Sequence, residues 1–134
     1  MTSPASPPRP ARTVVTEKGI QLEINPEWEV HPAQVKGSLD KKTEMLLLDV
    51  RLQKEWDISR IAGAMLIPLG QLAGRAEAEL GAWKTKPVVV YCHHGRRSLN
   101  AAAFLRQHEF ENVHSLAGGI DGWSVMMDAS VPRY

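Results

Sequence analysis

The sequence predicts an α/β fold in which helices cover both faces of a mostly parallel central sheet of about five strands. The first observation is that short apolar runs alternate along the chain with segments whose apolar residues recur at helical spacing. The second is size and composition. The chain has 134 residues, of which 43% are hydrophobic and 23% charged, so one domain can bury a core without disulfides or a metal. Ligands of such sheets bind beyond the carboxyl ends of the strands.

Each predicted element follows from a local pattern. Continuous apolar runs are typical of strands buried on both faces, and they predict strands over residues 45–50, 64–67 and 88–91. A last strand is expected over residues 112–116. Helical spacing, with a proline suited to the first turn of the first helix, predicts helices over about residues 32–39, 55–59, 69–81, 98–108 and 120–127.

The beginning of the chain has a different composition from the rest. Residues 1–18 are rich in proline and serine and almost free of apolar side chains, which predicts a disordered tail ahead of a domain over residues 19–134. Residues 20–24 alternate apolar and polar side chains, as a strand does. Because a turn pair, Asn25 and Pro26, is followed by renewed alternation at residues 28–30, we expect a short hairpin there.

Charge and composition exclude several classes of function. The net charge of +1 supplies no global basic field for nucleic-acid binding. No apolar run approaches membrane-spanning length, and the first ten residues lack a signal-peptide core, so we expect a cytoplasmic protein without a membrane partner. A single cysteine excludes an internal disulfide and a cysteine-rich zinc site, and no cofactor is predicted.

That single cysteine, Cys92, lies between a predicted buried strand and a predicted helix. The free N–H groups and the positive dipole at the start of a helix stabilise an anion, which favours a thiolate over a buried thiol. Gly95 permits a positive φ, with which successive loop N–H groups can point inward. Arg96 and Arg97 add positive charge, and Ser98 is able to cap the helix. The sequence therefore predicts a reactive sulfur.

Four motifs occur in an order that resembles the rhodanese family of sulfurtransferases over about residues 28–127. They are LLDVR at 47–51, EW at 55–56 followed by IAGA at 61–64, VVYCHHGRRS at 89–98 and LAGGIDGW at 116–123. Two stretches depart from the family pattern, since Ser59 and Arg60 stand where the family has glycine and histidine, and no glycine ends the helix before the last strand. The resemblance implies a rhodanese-like fold with Cys92 in the active-site loop.

The resemblance also implies a thiosulfate sulfurtransferase that works by double displacement. Cys92 is the expected catalytic nucleophile, which takes a sulfane sulfur from a small anionic donor such as thiosulfate and passes it to a thiol or cyanide acceptor. The expected substrate-binding residues are His93, His94, Gly95, Arg96, Arg97 and Ser98. A persulfide carrier that serves a protein sulfur acceptor shares this chemistry, so that alternative stays open.

Loop length separates this chemistry from that of cysteine-dependent phosphatases and arsenate reductases. Four residues separate Cys92 from Arg97, whereas those phosphatases have a loop one residue longer. By resemblance, the shorter loop fits a sulfur atom on the cysteine better than a phosphate. A 3-mercaptopyruvate donor is disfavoured because the family members that use it carry a different loop sequence.

Other polar residues near the loop have weaker signals. Asp49 and Arg51 also follow a strand's end, so they are candidate supporting residues of the site, with a purely structural ion pair as an equal alternative. His93 and His94 are adjacent in sequence, and adjacent residues seldom bind one metal ion together, so no metal site is predicted. Neighbouring side chains in a turn diverge, which leaves open whether Arg96 or Arg97 faces the substrate.

Overall fold

The computed structural model describes residues 12–15 and 21–134. The strands are β1 (Arg12–Val15), β2 (Gln21–Ile24), β3 (Glu29–Val30), β4 (Leu46–Asp49), β5 (Met65–Leu66), β6 (Val88–Tyr91) and β7 (Val113–Leu116). The helices are α1 (Pro32–Asp40), α2 (Gln53–Ile58), α3 (Leu69–Leu80), α4 (Arg96–Gln107) and α5 (Gly119–Met126), with a 3-10 turn (Gly81–Trp83) after α3. Within the described ranges, none of the helices combines the length and the apolar character needed to cross a membrane.

Five strands form a central parallel sheet in the order β3-β7-β6-β4-β5. This confirms the predicted α/β class. In the central pair, Leu48 lies opposite Val90 and Asp49 opposite Tyr91, so β4 and β6 end side by side. Because parallel strands share one carboxyl edge, the residues that follow β4, β6 and β7 meet there.

The two central strands are buried on both faces. Leu48 and Val90 belong to the apolar cluster that includes residues of α3 and α4, whereas Leu47 and Val89 belong to the cluster that includes residues of α1 and α5. Full burial of each such side chain contributes about 1.5–3 kcal/mol. The sheet is therefore a rigid base for the loops at its carboxyl edge.

The predicted hairpin between residues 20–24 and 28–30 is wrong. β2 pairs antiparallel with β1, and β3 pairs in parallel with β7. A turn separates them, in which the carbonyl of Asn25 accepts hydrogen bonds from the N–H groups of Trp28 and Glu29 at 2.9 and 2.7 Å. Alternation identifies a strand but not its partner, and here β3 covers an edge of β7 that would otherwise stay unpaired.

Part of the predicted tail forms a strand, because Arg12–Val15 is β1 and pairs with β2 over four residue positions. The pairing of β1 with β2 satisfies backbone hydrogen-bonding groups of both strands. The other residues of 1–18 lie outside the described residues. The disordered tail and the domain boundary near residue 19 therefore stay predictions.

Helix α4 begins at Arg96 and not at Ser98 as predicted. Gly95 is the N-cap residue, and its φ of +121° lies in the region that favours glycine. Ser98 lies inside the first turn of the helix and does not cap it. Its hydroxyl instead donates to the carbonyl of Gly95 at 3.1 Å. This shift places both arginines on the helix and turns the N–H of Ser98 towards the loop.

Candidate active site

Cys92 is the first residue after β6, and only 1% of its surface is exposed. Its Sγ accepts hydrogen bonds from the N–H groups of Gly95 at 3.0 Å and Ser98 at 3.4 Å. The hydroxyl of Ser98 lies 3.4 Å from the same sulfur. These donors belong to the N-cap and first turn of a helix of 12 residues, so the helix dipole adds to their effect. The geometry stabilises negative charge on the sulfur.

Two buried serines hold the loop from beneath, and we call Ser98 and Ser115 the serine pair. Their hydroxyl oxygens are 2.6 Å apart, and neither residue is exposed to solvent. Ser115 is supplied by β7, the neighbour of β6 in the sheet. Since a buried hydroxyl without a partner costs about 1–3 kcal/mol, this contact specifies where the first turn of α4 lies relative to the sheet.

The start of α5 orients the peptide groups of the loop. The N–H groups of Ile120 and Asp121 donate to the carbonyls of Cys92 and His93 at 2.8 and 3.1 Å. In a trans peptide the C=O and the following N–H point in opposite directions. The N–H groups of His93 and His94 therefore point away from α5. Gly119 allows this approach, because its φ is +61° and a Cβ there would collide with both carbonyl oxygens.

The two arginines have different surroundings. Arg97 donates through Nη1 and Nη2 to the two carboxylate oxygens of Glu55 at 2.7 and 3.0 Å, whereas Arg96 is exposed. The hydrogen bonds from Arg97 lower the pKa of Glu55 to about 2, although burial opposes the shift. The expectation that Arg96 and Arg97 add positive charge near the sulfur stays a prediction, and the two arginines are not equivalent. Part of the charge of Arg97 is neutralised by α2.

A second ion pair lies deeper, where the structure brings together Asp49 and Arg51. Both side chains are fully buried, and the guanidinium binds the carboxylate at 2.7 Å through Nη2 and at 3.0 Å through Nε. Nη2 also donates to the carbonyl of Ser59 at 2.6 Å. Burial by itself lowers the pKa of Arg51, but the hydrogen bonds to Asp49 and Tyr134 outweigh it and the pKa is raised.

Tyr134 connects the two ion pairs. Its hydroxyl accepts a hydrogen bond from Arg51 Nη1 at 2.8 Å and donates one to Glu55 Oε2 at 2.7 Å. Burial, followed by the carboxylate of Glu55, raises the pKa of Tyr134 to about 12, so the phenol keeps its proton at neutral pH. We call the five residues of this group the charged network: Asp49, Arg51, Glu55, Arg97 and Tyr134.

The two histidines lie at the rim of the loop. The ring of His93 stacks on that of Tyr134, with centroids 4.0 Å apart and planes 10° from parallel. His94 is exposed, and its Nδ1 is 3.9 Å from Oδ2 of Asp121. Burial, then the neighbouring His94, lowers the pKa of His93. Among the residues that the structure describes, no three metal-ligating side chains form a cluster.

Sequence reasoning missed three contributors to this site. Ser115 and Tyr134 stand in no recognisable motif, because each acts through a partner that is distant in the chain. Gly119 belongs to the final family motif, but its reason for being glycine appears only when the start of α5 meets the active-site loop. Glu55 had a signal, since it stands in the EW motif of the family resemblance at residues 55–56.

A family model described as "Rhodanese-like domain" matches residues 31–126. The chain belongs to this family. The match includes the loop of Cys92 and the carboxylates of Asp49 and Glu55, but it ends before Tyr134. The resemblance of the four motifs is thereby confirmed.

Named relatives are sulfurtransferases. Thiosulfate sulfurtransferase GlpE from Coxiella burnetii is 38% identical over 85 residues, which cover 63% of this chain and 77% of that protein. "Probable adenylyltransferase/sulfurtransferase MoeZ" from Mycobacterium tuberculosis is 35% identical over 106 residues, 78% of this chain. The chain spans only 26% of the length of that relative. The crystal structure of the Alr3790 protein from Anabaena sp. has a TM-score of 0.67 at 28% identity, covering 73% of this chain and 76% of that one.

Proposed function

We propose that this rhodanese-like domain transfers a sulfane sulfur through a persulfide on Cys92, with thiosulfate as the donor. The thiolate attacks the outer sulfur of thiosulfate, and the sulfur–sulfur bond of the donor breaks with its electron pair on departing sulfite. An acceptor such as cyanide then attacks the outer persulfide sulfur, which forms thiocyanate and restores the thiolate. No external oxidant or reductant is needed, and charge is conserved in both steps.

The observation that carries this proposal is the environment of the sulfur. A buried sulfur that accepts from Gly95 N–H at 3.0 Å and Ser98 N–H at 3.4 Å is held by fixed dipoles. Such dipoles stabilise the thiolate before attack, and they also favour its return as the leaving group in the second step. The loop N–H groups that point away from α5 are further candidates to hold the transferred sulfur.

Thiosulfate is a dianion, so its site needs positive charge. The exposed guanidinium of Arg96 and the half-exposed guanidinium of Arg97 both stand on the first turn of α4, close to the loop. We assign Arg97 to the donor's anionic group, because its pairing with Glu55 holds it still and a guanidinium has further N–H donors. The name of the GlpE relative supports this choice of donor.

A persulfide carrier that hands sulfur to a protein is the second candidate. Helix α2 carries Glu55, and two large apolar side chains at its ends, the N-cap Leu52 and the last helical residue Ile58, are 50% and 52% exposed. Apolar side chains exposed beside a site are typical of a protein contact surface. The first half of the reaction is the same in both proposals, and only the acceptor differs.

The test is the intact mass of the protein after thiosulfate treatment. We expect the wild-type protein to gain one sulfur, and cyanide to remove it with release of thiocyanate. Cys92→Ser should gain none and should lose turnover, with an unchanged circular dichroism spectrum, because no second thiol exists in the chain. Sulfur bound equally well by the serine variant would refute the persulfide. Sulfur that loads but passes to a protein thiol and not to cyanide would favour the carrier.

A further inference from the structure

Segment 128–134 follows α5 and is fastened to the domain in two places. Val131 is buried among the core residues beneath α5, and its carbonyl accepts a hydrogen bond from the hydroxyl of Ser124 at 2.5 Å. Arg133 binds both carboxylate oxygens of Asp121, at 2.8 and 3.1 Å. These contacts lead the chain back across the start of α5 towards the active-site loop.

The segment places Tyr134 against three groups of the site at once. The phenol donates to Glu55, accepts from Arg51 and stacks on His93. Glu55 is the residue whose carboxylate binds Arg97 through two hydrogen bonds. Tyr134 thus binds Oε2 of that carboxylate, the same oxygen that accepts from Nη2 of Arg97 at 3.0 Å. The family match ends at residue 126, so these contacts come from outside the matched part of the chain.

We propose that Tyr134 is a positioning residue for the sulfur donor: by holding Glu55 it fixes Arg97 in the orientation that binds the donor's anionic group. The inference rests on the proposed function and names one more part of the same site. The loss of the phenolic hydroxyl removes a donor from Oε2 of Glu55 and an acceptor from Arg51. The Glu55–Arg97 pair then gains rotational freedom, and the positive charge near Cys92 is less well placed.

Tyr134→Phe tests this with the ring and its stacking kept. A hydrogen bond to a charged group changes an equilibrium by about 10- to 150-fold, and the effect here reaches the donor through two intermediaries. We therefore expect kcat/KM for thiosulfate to fall about three- to tenfold, with kcat/KM for cyanide unchanged. Ser130→Ala is the control, because Ser130 lies in the same segment but is exposed and binds Asp128. It should match the wild type.

A second readout does not depend on sulfur transfer. Alkylation of Cys92 by anionic iodoacetate, relative to neutral iodoacetamide, reports the positive charge that an anion meets near the sulfur. We expect this ratio to fall about threefold in Tyr134→Phe. A structural role alone would alter both rates equally, for instance by exposing the sulfur, and would leave their ratio unchanged.

The path through Glu55 is tested by a double-mutant cycle. In the Glu55→Gln background, Tyr134→Phe should have no further effect on either readout, because the carboxylate that transmits its effect is gone. A wild-type alkylation ratio in Tyr134→Phe, or an equal loss in both backgrounds, would overturn the inference. If the wild-type protein gains no sulfur from thiosulfate, the proposed function fails, and the alkylation ratio still decides the role of Tyr134.

Discussion

The serine pair and the charged network surround the same loop, but they act on it differently. The hydroxyl of Ser98 and the N–H groups of Gly95 and Ser98 contact the sulfur of Cys92 at 3.0–3.4 Å, and Ser115 acts through Ser98. The members of the charged network bind one another, and their shortest distances join guanidinium, carboxylate and phenol. Neutral donors therefore face the nucleophile, whereas the formal charges are largely compensated within the network.

The difference has a physical reason. A buried thiolate needs hydrogen-bond donors that do not move, and backbone N–H groups at a helix start are such donors. A free guanidinium would also stabilise the sulfur, but an unpaired charge that is partly buried is costly, and Arg97 is paired with the carboxylate of Glu55. Under the proposed function, we expect the serine pair to act on the thiolate and the charged network to act on the donor. Three predictions test this division.

The largest effect is expected from Arg97→Ala, with Arg96→Ala as its matched control. Loss of a charge-assisted hydrogen bond to the donor, worth roughly 1.5–3 kcal/mol, should lower kcat/KM for thiosulfate about 10- to 150-fold. Arg96 is exposed, so its replacement should cost about threefold or less through weaker long-range attraction. Steady-state kinetics with thiosulfate and cyanide measures both.

Arg97→Ala also leaves the carboxylate of Glu55 unpaired near an anionic site. The double variant Arg97→Ala with Glu55→Gln separates this repulsion from the loss of donor contact. Recovery of most of the activity in the double variant would show that Arg97 serves chiefly to neutralise Glu55. Equal losses in the two single arginine variants would contradict the assignment of the donor to Arg97.

Ser98→Ala should lower kcat/KM by an intermediate amount, and it should do so through the thiolate and not through binding of the donor. The sulfur loses a nearby hydroxyl, and Ser115 loses its partner, so we expect about a tenfold fall in kcat/KM and a loss of about 1–3 kcal/mol in the free energy of unfolding. The rates of alkylation by iodoacetate and iodoacetamide should fall together, because the thiolate and not the local charge is affected. Urea denaturation measures the loss of stability, and alkylation kinetics measures the effect on the thiolate. A fall in the iodoacetate rate alone would show that the serine pair, like the charged network, affects the charge that an anion meets near the sulfur.

The smallest effect concerns stability in acid. The pKa of Glu55 is depressed from its ordinary value of 4.5 to about 2. Its pairing therefore stabilises the folded state above about pH 4.5, and this contribution is lost as the pH falls through about 2. Arg97 is partly exposed, so solvent screens its charge. We therefore expect the Glu55–Arg97 pair to contribute about 1–2 kcal/mol to the free energy of unfolding.

Urea denaturation of wild-type protein and Glu55→Gln at pH 5 and pH 2.5 measures this contribution. The wild type should lose more stability than the variant over that interval. Glu79, whose pKa is also lowered by an arginine but which lies on the exposed face of α3, is the control, and Glu79→Gln should change the pH dependence less. Parallel curves for wild type and Glu55→Gln would show that the charged network contributes nothing to folding.

The α/β class, the parallel sheet and the place of Cys92 were all predictable from the chain. Continuous apolar runs identify buried strands, and helical spacing identifies the covering helices, because both patterns are local consequences of backbone geometry. Motif order then indicated the family. Cys92 follows a strand and precedes a helix, so its place at the carboxyl edge needs no knowledge of any distant contact.

Pairing across the chain could not be predicted in this way. Arg97 and Glu55 are 42 residues apart, and Tyr134 and Glu55 are 79 apart. The partner of β3 was also missed, since alternation is the same whichever strand lies beside it. Which of two adjacent arginines faces a carboxylate depends on where α4 begins, and that is set by the backbone conformation of Gly95 together with the position of α2.

Local patterns report the conformation and burial of a residue, because these depend on its immediate neighbours and on hydrophobicity. The division of the site into the serine pair and the charged network depends on which polar side chains contact each other in the folded chain. Because buried polar groups need hydrogen-bond partners, each of these contacts is specific. Tyr134 shows this most clearly. Nothing in its sequence neighbourhood distinguishes it from any other surface tyrosine, and its contacts with Arg51 and Glu55 arise because Arg133 and Val131 fasten its segment beside α5.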